Sequence, residues 1–177
     1  MKRVLGSALV SSEQIQRRTA ELGRQISEDY AGRSVTLVAI LKGSFVFLAD
    51  VIRNISPDVP VEVDFMSVSS YGDGTASSGT IVIEKDIEVK IEGREIIIVE
   101  DIVYTGLTLT HVHRILTEKG ARSIRVATLL EKPGKSKYEG KLDYVGFQIP
   151  NSFVVGYGLD YAQRYRNLPD IRILDEI

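Results

Sequence analysis

Glu100 and Asp101 stand side by side at the end of an apolar run, Ile96 to Val99, and are followed at once by Thr105, Gly106 and Thr108. An uninterrupted apolar run of this kind marks a strand buried on both faces. Acids at the carboxyl end of such a strand sit where open α/β sheets bind ligands. The small and hydroxyl residues behind them lead into an amphipathic helix. A loop of this composition presents free backbone N–H groups and a helix N-terminus, which favour a phosphate. The acids suit sugar hydroxyls or a metal ion. Together the two halves suggest a phosphorylated sugar as ligand.

Three further places carry candidate chemistry. Lys42 and Gly43 follow a second buried run, Val35 to Leu41, in a tight strand-to-helix loop that could bind a diphosphate through its amides. Residues 69–80, SSYGDGTASSGT, are rich in Gly and Ser and can bury little apolar area, which predicts a mobile loop. Phe153 to Tyr161, FVVGYGLDY, reads as a strand and a turn dense in aromatics. His111 and His113 do not make a metal site, because helix positions two apart point in nearly opposite directions.

The elements that must position these residues alternate between strand and helix. Ser11 and Ser12 can cap a helix through about Glu28, with Ile15, Ala20, Leu22 and Ile26 facing inward. Ser44 to Arg53 reads as the next helix and Val61 to Val68 as a strand. Ile81 to Ile83 and Ile87 to Ile91 suggest a hairpin. Strand 96–100, helix 105–119 and strand 123–130 follow. The expected fold class is α/β, with a mainly parallel twisted sheet flanked by helices. From about residue 131 only short strands are expected, near 144–147, 153–157 and 171–174. They read as a small C-terminal cap over the ligand edge, joined by the N-terminal residues. The chain is thus expected to form one domain over 1–177, with its core at about 12–130.

Bulk properties narrow the classes. A chain of 177 residues that is 44% apolar can bury a sizeable core. No apolar run approaches the ~20 residues of a membrane span, and the N-terminus has too short an apolar stretch for a signal peptide. Cysteine is absent, so there is neither a disulfide nor a thiolate metal site, which is compatible with the cytoplasm. A net charge of −2 argues against general nucleic-acid binding. No G-x-x-x-x-G-K-[ST] and no G-x-G-x-x-G occurs, which excludes a P-loop enzyme and argues against a dinucleotide fold. A phosphatase or kinase using Glu100 and Asp101 as metal ligands would lack a nucleophile motif.

The string IIIVEDIVYTGLTL at 96–109 closely resembles the phosphoribosyl-pyrophosphate signature of the type I phosphoribosyltransferases, in the form found in their purine branch. The other motifs occur in that family's order over about residues 35–170. The resemblance implies the family's fold, Mg²⁺, and transfer of ribose 5-phosphate from phosphoribosyl pyrophosphate (PRPP) to hypoxanthine or guanine. It also implies that the chain binds the product nucleoside monophosphate and assembles as a homodimer or homotetramer. By residue, it implies that Lys42 and Gly43 bind pyrophosphate behind a cis Leu41–Lys42 peptide, and that Ser70 and Tyr71 belong to a closing lid. Glu100 and Asp101 would hold the ribose and the metal, and Thr105, Gly106, Leu107 and Thr108 the 5′-phosphate. Lys132 would donate to the 6-oxygen of the purine, Phe153 would stack on it, and Val154 would meet its edge through the main chain. Asp160 would contact the metal through water, and Arg166 would reach pyrophosphate.

One residue departs from the family. Tyr104 stands where the family has an aspartate that handles the purine N7 proton. An ordinary tyrosine, with pKa about 10, is a poor base near neutral pH. The expectation is slow turnover with nucleotide binding retained. The alternatives are an enzyme in which water or tyrosine serves, and a weak or inactive purine-nucleotide-binding regulator on the same fold. The intact Lys-Gly loop and lid sequence favour an enzyme.

Overall fold

The computed structural model describes residues 3–70 and 81–176. Its centre is a six-stranded sheet in the order β4-β3-β2-β5-β6-β7. The strands are β2 (Val35–Leu41), β3 (Val61–Ser70), β4 (Ile81–Lys85), β5 (Glu95–Val103), β6 (Ser123–Glu131) and β7 (Tyr144–Gln148). All neighbours pair parallel except β3 with β4. The helices are α1 (Ser12–Asp29), α2 (Phe45–Ile52) and α3 (Leu107–Glu118). A separate antiparallel sheet has the order β1-β9-β8, from β1 (Arg3–Val10), β8 (Val154–Val155) and β9 (Ile171–Glu176).

Full burial of the central strands gives the sheet two cores. Ile96 to Val99 are all inaccessible to solvent. The strand alternation sends Ile97 and Val99, with Leu37 and Ala39, to the face covered by α1 and α2. It sends Ile96 and Ile98, with Val38 and Ile40, to the face covered by α3. Val154, Tyr157, Leu159 and Ile171 belong to the first of these clusters, so the small sheet shares a core with the large one.

The order of the strands decides where a ligand can go. From β2 the chain moves outward to β3, and from β5 it moves outward the other way to β6 and β7. The direction reverses between β2 and β5, and crevices at the carboxyl ends of strands at such a switch point bind ligands. Lys42 and Gly43 leave β2 there, and Glu100 and Asp101 lie near the end of β5.

Several sequence expectations are corrected. Ser11 caps α1 with a full capping box, its Oγ accepting from Gln14 N at 3.3 Å and Gln14 Oε1 accepting from Ser11 N at 2.8 Å. Thr19 rather than Ala20 is buried on that helix, because its hydroxyl donates back to the Ile15 carbonyl at 3.0 Å. The antiparallel partner of β4 is β3, and 87–91 is not a strand. The Asp64 carboxylate accepts the amides of Glu88 and Val89, at 2.6 and 2.9 Å, and turns the chain away from the sheet. Helix α3 begins at Leu107, since Gly106 is left-handed at φ +71°. The large sheet does not stop near residue 130, because β7 adds to β6 in parallel.

Tyr71 and the rest of the Gly/Ser-rich stretch, 71–80, lie outside the described residues. Ser70 is placed only as the last backbone position of β3. Among the described residues no helix is long and apolar enough to cross a membrane.

Candidate active site

Two cavities adjoin at the switch point. The larger, about 550 Å³, is lined by Asp101, Tyr104, Lys132, Phe153, Val154 and Asp160, among others. The smaller, about 100 Å³, is formed by Glu100 and the turn from Val103 to Leu109. Ile102 and Tyr104 line both, so they form the wall between them.

The smaller cavity is built from backbone. Thr105, Gly106, Leu107 and Thr108 all border it. Gly106, the residue before the helix, offers no side-chain cap, and among the described residues only Thr105 Oγ1 accepts from the first turn of α3, from Leu107 N at 3.5 Å. Those amides are the donors that a helix N-terminus offers an anion. A side chain at Gly106 is barred twice over, by the φ of +71° and by its neighbours. A Cβ there would lie 2.6 Å from Ser136 Oγ and 2.9 Å from Tyr138 N. The segment after β6 is pinned to the turn by Lys137 N, which donates to the Thr105 carbonyl at 2.8 Å.

The acid pair is electrostatically uncomfortable. Burial, then the neighbouring Asp101 charge, pushes Glu100 well above the usual carboxylate range. Burial also raises Asp101, against the Ile102 amide, which donates to its Oδ1 at 2.7 Å. Glu100 Oε2 is buried with no hydrogen-bond partner among the described residues. Paired carboxyls with an orphaned oxygen fit a divalent cation, which would satisfy that oxygen and favour both ionised forms. Among the described residues no three acids or histidines gather into a cage. The donor set therefore matches a Mg²⁺ site of one or two carboxylates completed by substrate oxygens.

Asp160 does not join that pair. Its Oδ1 is 2.7 Å from Arg166 Nη2, and its Oδ2 accepts the Gln163 amide at 2.8 Å. Arg166 in turn donates through Nη1 to the Gly158 carbonyl at 2.7 Å. It borders neither of the two cavities, but its charge acts on Asp101 from behind. The Leu41–Lys42 peptide is cis. Gly43 is buried against Asp101, while Lys42 is exposed and lines neither cavity.

The larger cavity combines an apolar wall with a cation. Phe153 is 48% exposed and stands edge-on to Tyr161, with centroids 5.9 Å apart. Val154 is buried in β8. Lys132 is anchored by its amide to the Val103 carbonyl at 3.0 Å, and burial lowers its ammonium below the usual lysine range. Tyr104 faces two cations, with Lys132 Nζ 5.1 Å and Lys135 Nζ 5.5 Å from its ring centroid. Hydrogen bonding and charge from Lys135, with smaller effects from Asn151 and Lys132, hold its phenol below the usual tyrosine range. Sequence reasoning missed Asn151, Leu159 and Lys135. A lysine in a polar loop and an asparagine after a proline carry no signal that separates them from ordinary surface residues.

A family model described as the phosphoribosyl transferase domain matches residues 6–162. The chain is 47% identical over 174 residues to the hypoxanthine-guanine phosphoribosyltransferase of Bacillus subtilis (strain 168), covering 98% of this chain and 96% of that one. It is 50% identical over 175 residues to the protein of the same name from Mycobacterium tuberculosis (strain ATCC 25618 / H37Rv), covering 96% and 86%. A solved structure of a hypoxanthine-guanine phosphoribosyltransferase from Bacillus anthracis, with a HEPES molecule in its active site, matches with a TM-score of 0.90 at 44% identity, covering 96% and 99%. Motif order, switch-point geometry and these likenesses agree, and the chain belongs to the phosphoribosyltransferase family.

Proposed function

We propose that the protein transfers ribose 5-phosphate from PRPP to N9 of hypoxanthine or guanine, giving IMP or GMP and pyrophosphate. The observation that carries this reading is the pair of adjoining cavities. One is apolar with a cation, as a 6-oxopurine requires, and the other is a nest of helix N-terminal amides, as a phosphate requires.

In this reading Thr105, Gly106, Leu107 and Thr108 hold the 5′-phosphate. Glu100 and Asp101 orient the ribose hydroxyls and would hold Mg²⁺, which members of this family use with PRPP. Held by these two carboxylates, the ion would supply positive charge opposite the departing pyrophosphate. Lys42 and the Gly43 amide supply further positive potential on the same side, and Arg166 supports it from behind Gly158 and Asp160. Asp160 would act on the ion only through water. The reacting carbon should have oxocarbenium character, as in other glycosyl transfers.

Lys132 gives the site its preference. An ammonium satisfies the 6-oxygen of hypoxanthine or guanine, whereas the 6-amino group of adenine would meet a cation with no acceptor. Phe153 stacks on the ring, and the Val154 main chain meets its edge. The test is turnover of PRPP with hypoxanthine, guanine, xanthine and adenine in turn, read as nucleotide formed. Product from adenine alone, or from none of the four, would overturn the reading.

A further inference from the structure

We propose that the Tyr104 phenolate receives the N7 proton of the purine, with Lys135 as the residue that positions and activates it. The assignment rests on the transferase reading above and names the group that completes it.

Elimination within the larger cavity points to Tyr104. Asp101 is committed by the reading above to the ribose and the metal, with its Oδ1 accepting the Ile102 amide and its Oδ2 packed against Gly43. Asp160 has both oxygens engaged, by Arg166 and by Gln163 N. Lys132 is a cation and has no lone pair to offer while it holds the 6-oxygen. Tyr104 lies on the wall shared by both cavities, between the places the reading above gives to base and sugar phosphate.

The groups around the phenol are of mixed sign. Lys132 and Lys135 come from the segment after β6, each within 5.5 Å of the ring centroid. Asp101 comes from the end of β5, which precedes Tyr104, and Asp160 from the cap, the latter ion-paired to Arg166. Asn151 approaches from the loop before β8 as a neutral hydrogen-bonding group. The field favours the anion, and the phenol's lowered pKa agrees. The expectation of slow turnover assumed an unperturbed tyrosine, an assumption the two lysines remove.

The step balances without another reactant. A purine in its N7–H form attacks C1′ of PRPP through the N9 lone pair. The N9–C1′ bond forms as the C1′–O bond to pyrophosphate breaks, and pyrophosphate keeps that electron pair. The N7–H proton passes to the Tyr104 oxygen, and its bonding pair stays in the ring, which ends neutral. Tyr104 then releases the proton to water, assisted by the Lys135 charge.

The test follows the phenolate directly as well as through catalysis. The ultraviolet titration of the unmodified chain, minus that of Tyr104→Phe, should show a phenol ionising below pH 10. The ascending limb of kcat/KM for hypoxanthine should follow it. The purine's own ionisation is common to all variants. Lys135→Met should move both the absorbance and the kinetic limb to higher pH, and Lys135→Arg should bring both back. Tyr104→Phe should lower kcat/KM by about 10²–10⁴ while changing IMP affinity less than tenfold. Wild-type turnover in Tyr104→Phe, or limbs unmoved in Lys135→Met, would overturn the proposal and leave the transferase reading standing. Failure of the unmodified chain both to bind IMP and to turn over any 6-oxopurine would overturn the two together.

Discussion

Asp101 and Gly43 are in contact so close that only a glycine can occupy position 43. A Cβ on Gly43 would lie 1.5 Å from Asp101 Oδ2. The far side of the same loop is just as tight, since a Cβ on Gly158 would lie 2.2 Å from the Gly43 carbonyl oxygen. The loop after β2 is therefore gripped between the acid pair and the cap.

Gly43→Ala should displace the Asp101 carboxylate or the loop, and either movement disturbs pyrophosphate and ribose together. The expected result is at least a tenfold fall in kcat/KM for PRPP, about 1.4 kcal/mol. IMP, which carries no pyrophosphate, should lose less affinity. Parallel steady-state kinetics and IMP titration check this, and equal losses in both would refute a pyrophosphate role for the loop.

Base preference should appear in melting temperature. IMP or GMP at equal concentration should raise it clearly more than AMP, because ligand affinity adds directly to stability. Lys132→Met should shrink the gap between IMP and AMP. Equal shifts for all three nucleotides in the unmodified chain would remove the assignment of Lys132.

Gly106→Val should weaken nucleotide binding at least tenfold. The substitution needs a left-handed backbone that valine disfavours, and its side chain meets Ser136 and Tyr138. Titration of IMP into the folded variant, its folding verified by circular dichroism, is the measurement. Unchanged affinity would count against a phosphate at this turn.

Turnover should require Mg²⁺ and stop in a chelator, with activity returning when the metal is added back. Glu100→Gln should weaken that dependence by removing one charge from the pair. Full activity in chelator would exclude this mechanism.

Asp64 offers a prediction away from the chemistry. Burial works against its charge, but the amides of Val89, Phe65 and Glu88, with Lys85, outweigh it and hold the carboxyl below its ordinary value. A carboxyl depressed by folding contributes its stability in full above the unfolded pKa of about 3.9 and loses it as pH falls through the folded value. Asp64→Asn should therefore cost about 1–3 kcal/mol at neutral pH. The gap between variant and unmodified chain should close in acid. Urea unfolding at several pH values measures it, and a gap that is constant with pH would rule out the charge as its source.

How much of this was legible in the sequence depended on the range of the forces involved. The strand from Val35 to Leu41 and the buried core of β5 declare themselves because full burial on both faces demands an apolar run. The cap of α1 is legible because it is a local hydrogen-bond pattern around Ser11 and Gln14. The chain path at 87–91 was not, since it is set by Asp64, which arrives from another strand. The place of β7 was not, because a five-residue strand reads alike in a cap and at a sheet edge. Tyr104 is the instructive case. Its type and position were plain, but its acidity comes from Lys135, which only the fold brings near.

The segment from Lys132 to Tyr138 lines the larger cavity at one end and braces the turn of the smaller one at the other. At one end Lys132 lines the larger cavity, and at the other Lys137 and Tyr138 close on Thr105 and Gly106 at the start of α3. In the proposed reading these seven residues would span the distance between a base and its 5′-phosphate. On that reading the protein would gauge a nucleotide as a length, with both ends set against one ruler. A nucleoside without its phosphate, or a ribose phosphate without its base, engages only one end of that ruler and leaves the other unread.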